Sequence, residues 1–306
     1  MTDSKQGPQV ERLELGKLAC WRVRTAQAEL LVAQQGAQIL SYQRFGEPPL
    51  IWLSEQAEYL PGQSVRGGIP VCWPWFGDLK RNPQAVQAMH QGGPLTPAHG
   101  LVRGLDWELQ TVDRQAQGVH LALRCAEAEQ GLPGWPHSVA LSLDIRLGDT
   151  LQVQLCSRNL GEQPVSISQA LHSYFAVSDV RQVSVEGLDQ CRYVDALEDD
   201  WRAQRHSGEL HIDGETDRLY LGLPSRLAIL DPHWQRRIVL ESSGSHSAVV
   251  WNPWIDKARR LSQFAEDAWQ GMLCIETANV LDDLVILAPG EQRQLGFSLR
   301  SEPLPE

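Results

Sequence analysis

Apolar and polar residues alternate with a period of two along most of the chain. Val139, Leu141, Leu143, Ile145 and Leu147 alternate with Ala140, Ser142, Asp144 and Arg146. After Gly148-Asp149-Thr150 the pattern resumes with Leu151, Val153 and Leu155 against Gln152, Gln154 and Cys156. Such alternation predicts a hairpin of two half-buried strands. The same rhythm predicts strands at 119–125, 166–177, 238–242, 248–251 and 295–299, with weaker ones at 19–25, 29–33 and 38–43. Helical periodicity is scarce. Its best candidate runs from Asp256 to Trp269, with Asp256 as N-cap. Many short strands, Gly/Pro turns and no strand–helix alternation predict an all-β fold, a large antiparallel β-sandwich or a barrel.

The length, 306 residues, fits one large β domain, expected over 11–301 with flexible ends at 1–10 and 302–306. Lys and Arg total 27 against 38 Asp and Glu, a net charge of −11. An acidic surface repels phosphate backbones and anionic lipid heads, so no nucleic-acid or membrane partner is expected. None of the six cysteines forms a CxxC pair, and several lie in apolar runs. They read as buried, reduced thiols. With no apolar leader and no long apolar run, the expected compartment is the cytoplasm. No HxH, HExxH or Cys/His cluster points to a metal, and no Gly-rich loop opens a helix to hold a nucleotide. No cofactor is expected.

Four segments break the strand rhythm. In Val65-Arg66-Gly67-Gly68-Ile69-Pro70-Val71-Cys72-Trp73-Pro74-Trp75-Phe76-Gly77, glycines and prolines fix an irregular backbone. Trp73 and Trp75 offer flat apolar faces suited to the C–H face of a sugar ring. Arg66 offers a planar fork for an anion. The same residues would also serve a loop that caps the sandwich, with Arg66 paired to a carboxylate. In the second segment His99 and Arg103 flank Gly100 and could face one cleft. In the third, His172 sits inside the apolar stretch Ala170-Leu171-His172-Ser173-Tyr174-Phe175, where a satisfied core histidine is the commoner outcome. In the fourth, Glu276 follows Met272-Leu273-Cys274-Ile275. A carboxylate there needs either a cationic partner or a chemical role. Asp217 reads most simply as a turn residue paired with Arg218. The run Trp251-Asn252-Pro253-Trp254-Ile255-Asp256-Lys257 is another rigid aromatic loop and could form a pocket wall.

Taken in order, Arg-Gly-Gly-Ile-Pro…Trp-Phe-Gly, His-Gly-Leu-Val-Arg, Ala-Leu-His-Ser-Tyr-Phe, Glu-Thr-Asp-Arg-Leu-Tyr, Trp-Asn-Pro-Trp and Cys-Ile-Glu resemble the hexose-6-phosphate mutarotases, a branch of the aldose 1-epimerase (galactose mutarotase-like) family. The likeness covers about residues 15–300. It implies a galactose mutarotase-like supersandwich with its site in a cleft across one sheet. It further implies His172 as general acid, Glu276 as general base, Arg66 and Arg103 as phosphate-holding cations, and Asp217 as a ligand of sugar hydroxyls. His99 matches a position that lines the sugar site. Ala98 stands where this branch often carries Gln.

The reaction so implied opens a cyclic hemiacetal and recloses it on the other carbonyl face, which needs one acid and one base but no metal or redox group. Histidine, with an ordinary pKa of about 6.5, and a glutamate raised by burial suit those tasks. The expected partner is a small sugar phosphate, taken up by a monomer. The alternatives are a mutarotase of unphosphorylated aldoses and a silent carbohydrate-binding module. A glycosidase would want two carboxylates about 5–10 Å apart.

Overall fold

The computed structural model describes residues 7–92, 96–116 and 118–304. Among these, strands form four antiparallel sheets, two of them large. The nine-stranded sheet runs, in spatial order, through Leu210–His211, Ser184–Glu186, Arg226–Asp231, Arg236–Ser243, Gln292–Pro303, Leu151–Asn159, Val139–Leu147, Gly118–Cys125 and Glu108–Gln115. Its hairpin pairs Leu147 with Leu151, as the Gly148-Asp149-Thr150 turn predicts. Every second residue of Val139–Leu147 is buried, which is what alternation on a one-sided sheet produces.

The eight-stranded sheet is built on Ser247–Asn252 and Met272–Asn279, whose residues are all buried. Thr216–Leu221 flanks the first, and Gln169–Leu171 and Tyr174–Ala176 flank the second. Both central strands are covered on two faces. On one face Val250, Leu273 and Ile275 join a continuous apolar core shared with Leu143, Ile145 and Leu155 of the nine-stranded sheet. On the other, Val249 and Ala278 meet Cys72, Ala170 and Leu219 in a small second cluster. This second face carries the cleft. The fold is therefore the expected all-β sandwich.

Three expectations need correction. Strand pairing begins at Gln9, opposite Arg24, and extends to Pro303, opposite Arg236. Residues 9–10 and 302–303, expected in the flexible ends, are thus paired in strands, while 1–6 and 305–306 lie outside the described residues. The single strand expected over 166–177 is three short strands, Val165–Ile167, Gln169–Leu171 and Tyr174–Ala176. The break at His172-Ser173 arises because His172 N–H donates to the Pro70 carbonyl and Ser173 N–H to that of Leu171, rather than to a neighbouring strand. Third, the helix expected from Asp256 is one short turn, Trp254–Ala258, which holds Asp256 inside it. Gln263, at φ 55, breaks the continuation. Its carbonyl instead accepts from the Ser54 hydroxyl at 2.6 Å, tying this segment to the Arg66 loop.

All six cysteines are free. Five are buried and Cys156 is half-buried. Among the described residues, no helix is long and apolar enough to cross a membrane.

Candidate active site

The Arg-Gly-Gly loop is pinned from below by Gln38, whose amide donates to the carbonyls of Val65 at 3.0 Å and Gly67 at 2.7 Å. Gly68 has φ 70, and a Cβ there would stand 2.2 Å from the Ile39 carbonyl. Only glycine permits that approach. Arg66 is thereby held at the cleft wall, with Nε 3.3 Å from the Ser262 carbonyl. The His99 loop docks equally closely, since a Cβ on Gly100 would fall 2.0 Å from the Trp73 carbonyl. His99 itself has φ 66, an uncommon value for a side-chain-bearing residue. Its Nδ1 accepts from Gly77 N–H at 3.3 Å.

The pairing register brings the acid and base candidates together. Leu171 pairs with Thr277, and Tyr174 pairs with Cys274. Carried across the intervening break, the same register sets His172 opposite Glu276. Their side chains emerge on the cleft face, with Nδ1 3.3 Å from Oε2. The His172 ring stacks on Tyr174, centroids 4.7 Å apart and planes 6° from parallel, and tilts against His99 at 5.3 Å. His172 is 7% exposed and Glu276 only 1%, yet both line the cleft. They form its floor and are not sealed into the core.

Burial dominates the electrostatics of the pair. It pushes the Glu276 carboxyl well above the ordinary carboxylate range, aided by the Asp217 charge and opposed by Arg103. It pushes the His172 imidazole well below its ordinary value, aided by His99, Arg103 and Arg66. His99 is pushed down to about 3 for similar reasons. Each shift favours the uncharged form of its group, so the resting couple favours a protonated Glu276 beside a neutral His172.

Asp217 lies on the neighbouring strand Thr216–Leu221 and lines the same cleft. Its expected partner, Arg218, instead approaches Asp195 at 3.3 Å. The cation nearest Asp217 is Lys257 Nζ, 3.8 Å away, which also meets Glu215 at 3.2 Å. Burial outweighs Lys257, so the Asp217 carboxyl is pushed up to about 6.

One expected ligand stands elsewhere. Trp73 is 0% exposed. Its indole donates to the Ser157 hydroxyl at 3.2 Å and packs edge-on against Trp135, so its faces belong to the core and cannot meet a sugar. Arg103 is half-buried beside the pair: its guanidinium donates to the Ala98 carbonyl, its Nε has no hydrogen-bond partner among the described residues, and its charge acts on His99, His172 and Glu276. The cleft, of about 450 Å³, is instead completed by Phe76, Trp201, Trp251, Arg81 and Lys257. Trp251 belongs to the aromatic run singled out as a wall. Lys257 closes the same run. Arg81 and Trp201 carried no motif.

Residues 20–300 match the family described as Aldose 1-epimerase. A Cenchrus ciliaris protein named "Putative glucose-6-phosphate 1-epimerase" is 32% identical over 88% of this chain and 80% of its own length. An Escherichia coli (strain K12) protein of the same name is 33% identical over 89% of this chain and 86% of its own length. A crystal structure of a "putative mutarotase (YeaD)" from Salmonella typhimurium superposes with a TM-score of 0.84 at 28% identity, covering 96% of this chain and 94% of that one.

Proposed function

The chain belongs to the aldose 1-epimerase family, and on that premise we propose that it interconverts the α and β anomers of a hexose 6-phosphate, glucose 6-phosphate foremost. The observation that carries this reading is the buried His172–Glu276 couple, 3.3 Å apart on the floor of a cleft that Arg66 and Asp217 also line. The names of the relatives supply the substrate class.

The reactive form of the couple is the one in which its single proton sits on His172: in the ring-opening direction Glu276, as the carboxylate, takes the proton of the C1 hydroxyl while His172, as the imidazolium, protonates the ring oxygen. The C1–O5 bond breaks and a free aldehyde forms. Rotation about C1–C2 presents the other carbonyl face, and the two transfers then reverse. Each half-reaction moves one proton onto the couple and one off it, so a net-neutral couple serves both directions. Positioned proton transfer of this kind contributes about 10²–10⁴-fold per group. Asp217 accepts hydrogen bonds from ring hydroxyls, and Arg66 meets the phosphate with a charge-assisted fork.

The hydrogen bond that Arg103 gives to the Ala98 carbonyl favours a second reading, an aldose mutarotase with no need of phosphate, because that donor is engaged by the protein itself. One measurement separates the two. Exchange NMR of anomer interconversion is run with glucose 6-phosphate, glucose and galactose. Acceleration specific to the phosphorylated sugar supports the proposal. Equal acceleration of all three selects the second reading, and none refutes both.

A further inference from the structure

The mouth of the cleft is formed by two loops from different parts of the fold, and one side chain joins them. Arg81 stands on the loop that follows Phe76-Gly77, braced by Asp78 capping Lys80 N–H at 3.0 Å and by Asn82 donating to the Phe76 carbonyl at 2.8 Å. The other loop, 196–202, connects the paired strands Arg192–Asp195 and Ala203–Arg205 at the edge of the eight-stranded sheet. Its base is anchored by Ala196 N–H on the Asp217 carbonyl at 2.7 Å. Arg81 reaches across, donating through Nη1 to the Ala196 carbonyl at 3.2 Å. Its guanidinium carbon lies 5.3 Å from the ring centroid of Trp201.

Trp201 has φ 44, in the left-handed region that aromatic residues rarely enter. Backbone strain of this kind persists where surrounding contacts over-determine it, and it concentrates at ligand sites. Trp201 and Arg81 both line the cleft. Trp73, the residue whose face the sequence offered to a sugar, is enclosed in the core. We propose that Trp201, held by Arg81 from the opposite loop, is the aromatic platform on which the sugar ring stacks, at the end of the cleft where Asp217 meets its hydroxyls.

This rests on the mutarotase reading and assigns Trp201 as a substrate-binding residue and Arg81 as the residue that positions it. The platform touches the ring and not the phosphate, so it serves phosphorylated and free sugars alike. Arg66 differs in serving only the former.

The test compares Trp201→Ala, Trp201→Phe and Arg81→Met by exchange NMR with glucose 6-phosphate and glucose, alongside calorimetric binding of both sugars. Trp201→Ala is expected to weaken binding of both by the same factor, roughly 2–13-fold for the loss of one aromatic face, with the loss falling on KM more than on kcat. Trp201→Phe is expected to restore most of it. Arg81→Met is expected to give a smaller loss of the same pattern, since one cation–π contact and one hydrogen bond hold the ring. Unchanged affinity in Trp201→Ala overturns the proposal, as does a loss confined to glucose 6-phosphate. If the native protein accelerates exchange of neither sugar, the mutarotase reading fails. The calorimetric comparison then still decides whether Trp201 contacts sugar.

Discussion

His172 Nδ1 and Glu276 Oε2 stand 3.3 Å apart on the floor of the cleft, and neither atom has a hydrogen-bond partner among the described residues. A buried polar atom left unsatisfied costs about 1–3 kcal/mol. Two such atoms facing one cleft are explained if a substrate's hydroxyl and ring oxygen complete them. Glu276→Gln keeps the size and shape of its side chain, His172→Gln keeps a polar side chain of similar size, and each removes the proton chemistry. Each is expected to lower kcat by about 10²–10⁴-fold while leaving the thermal melt within a few degrees of the native protein. Exchange NMR reads the first quantity and a melt the second. A kcat within tenfold of native for either variant removes that residue from the mechanism.

The same couple sets the pH dependence. Activity is lost when the neutral couple gains a second proton, a step depressed below the ordinary histidine value, and when it loses its one proton, a step raised above the ordinary carboxylate value. Between these limits kcat is expected to be flat. Arg103 pushes both groups down. Replacing it with Met therefore raises both, and the whole plateau moves toward higher pH. Arg103→Met is expected to lose activity first on the acid side, whereas Arg103→Lys holds the native profile. An unshifted profile in Arg103→Met would show that its charge does not reach the couple.

Arg66 donates to the Ser262 carbonyl at 3.3 Å and lines the cleft. A charged hydrogen bond to phosphate is worth about 1.5–3 kcal/mol, or roughly 10–150-fold in binding. Arg66→Ala is expected to raise KM for glucose 6-phosphate by a factor in that range and to leave KM for glucose within about threefold. Equal increases for both sugars would place Arg66 at the ring and away from the phosphate.

The sandwich was legible because alternation is a local property. Val139–Leu147 and its partner need only a period of two and a turn between them. His172 and Glu276 were legible as interruptions, polar residues where an apolar strand pattern asked for none. Trp73 misled because an aromatic loop reads the same whether its rings turn outward or inward. Its inward turn depends on Ser157 and Trp135, which are distant in sequence. Arg81 and Trp201 were invisible for the complementary reason. Each sits in an ordinary polar turn, and their meeting at 5.3 Å is a property of two loops brought together by the sheet. The helix from Asp256 failed because Gln263 and Ser262 give their carbonyls to Ser54 and Arg66, tertiary contacts that override a short helical period.

Asp217 links function to stability with a definite sign. Its pKa is pushed from 3.8 up to about 6 in the folded protein, by burial first and then, against the pull of Lys257, by Asp195 and Glu215. Between pH 3.8 and about 6 the folded chain binds the extra proton, so stability falls as pH rises through that window and the cost is complete above it. Asp217→Asn cannot ionise and escapes this cost, while Lys257 keeps Glu215 as a partner at 3.2 Å. A shift of this size corresponds to at most about 3 kcal/mol. Because the Asp217 side chain remains 26% exposed, solvent screening reduces the expected gain to about 1–2 kcal/mol. In urea melts, Asp217→Asn should therefore be the more stable protein at pH 7.5, and its advantage should vanish near pH 3.5. The same substitution replaces a carboxylate acceptor for sugar hydroxyls with an amide, and KM should rise for glucose and glucose 6-phosphate together. A variant that is less stable than the native protein at pH 7.5 would mean that the Lys257 contact outweighs the burial of the charge.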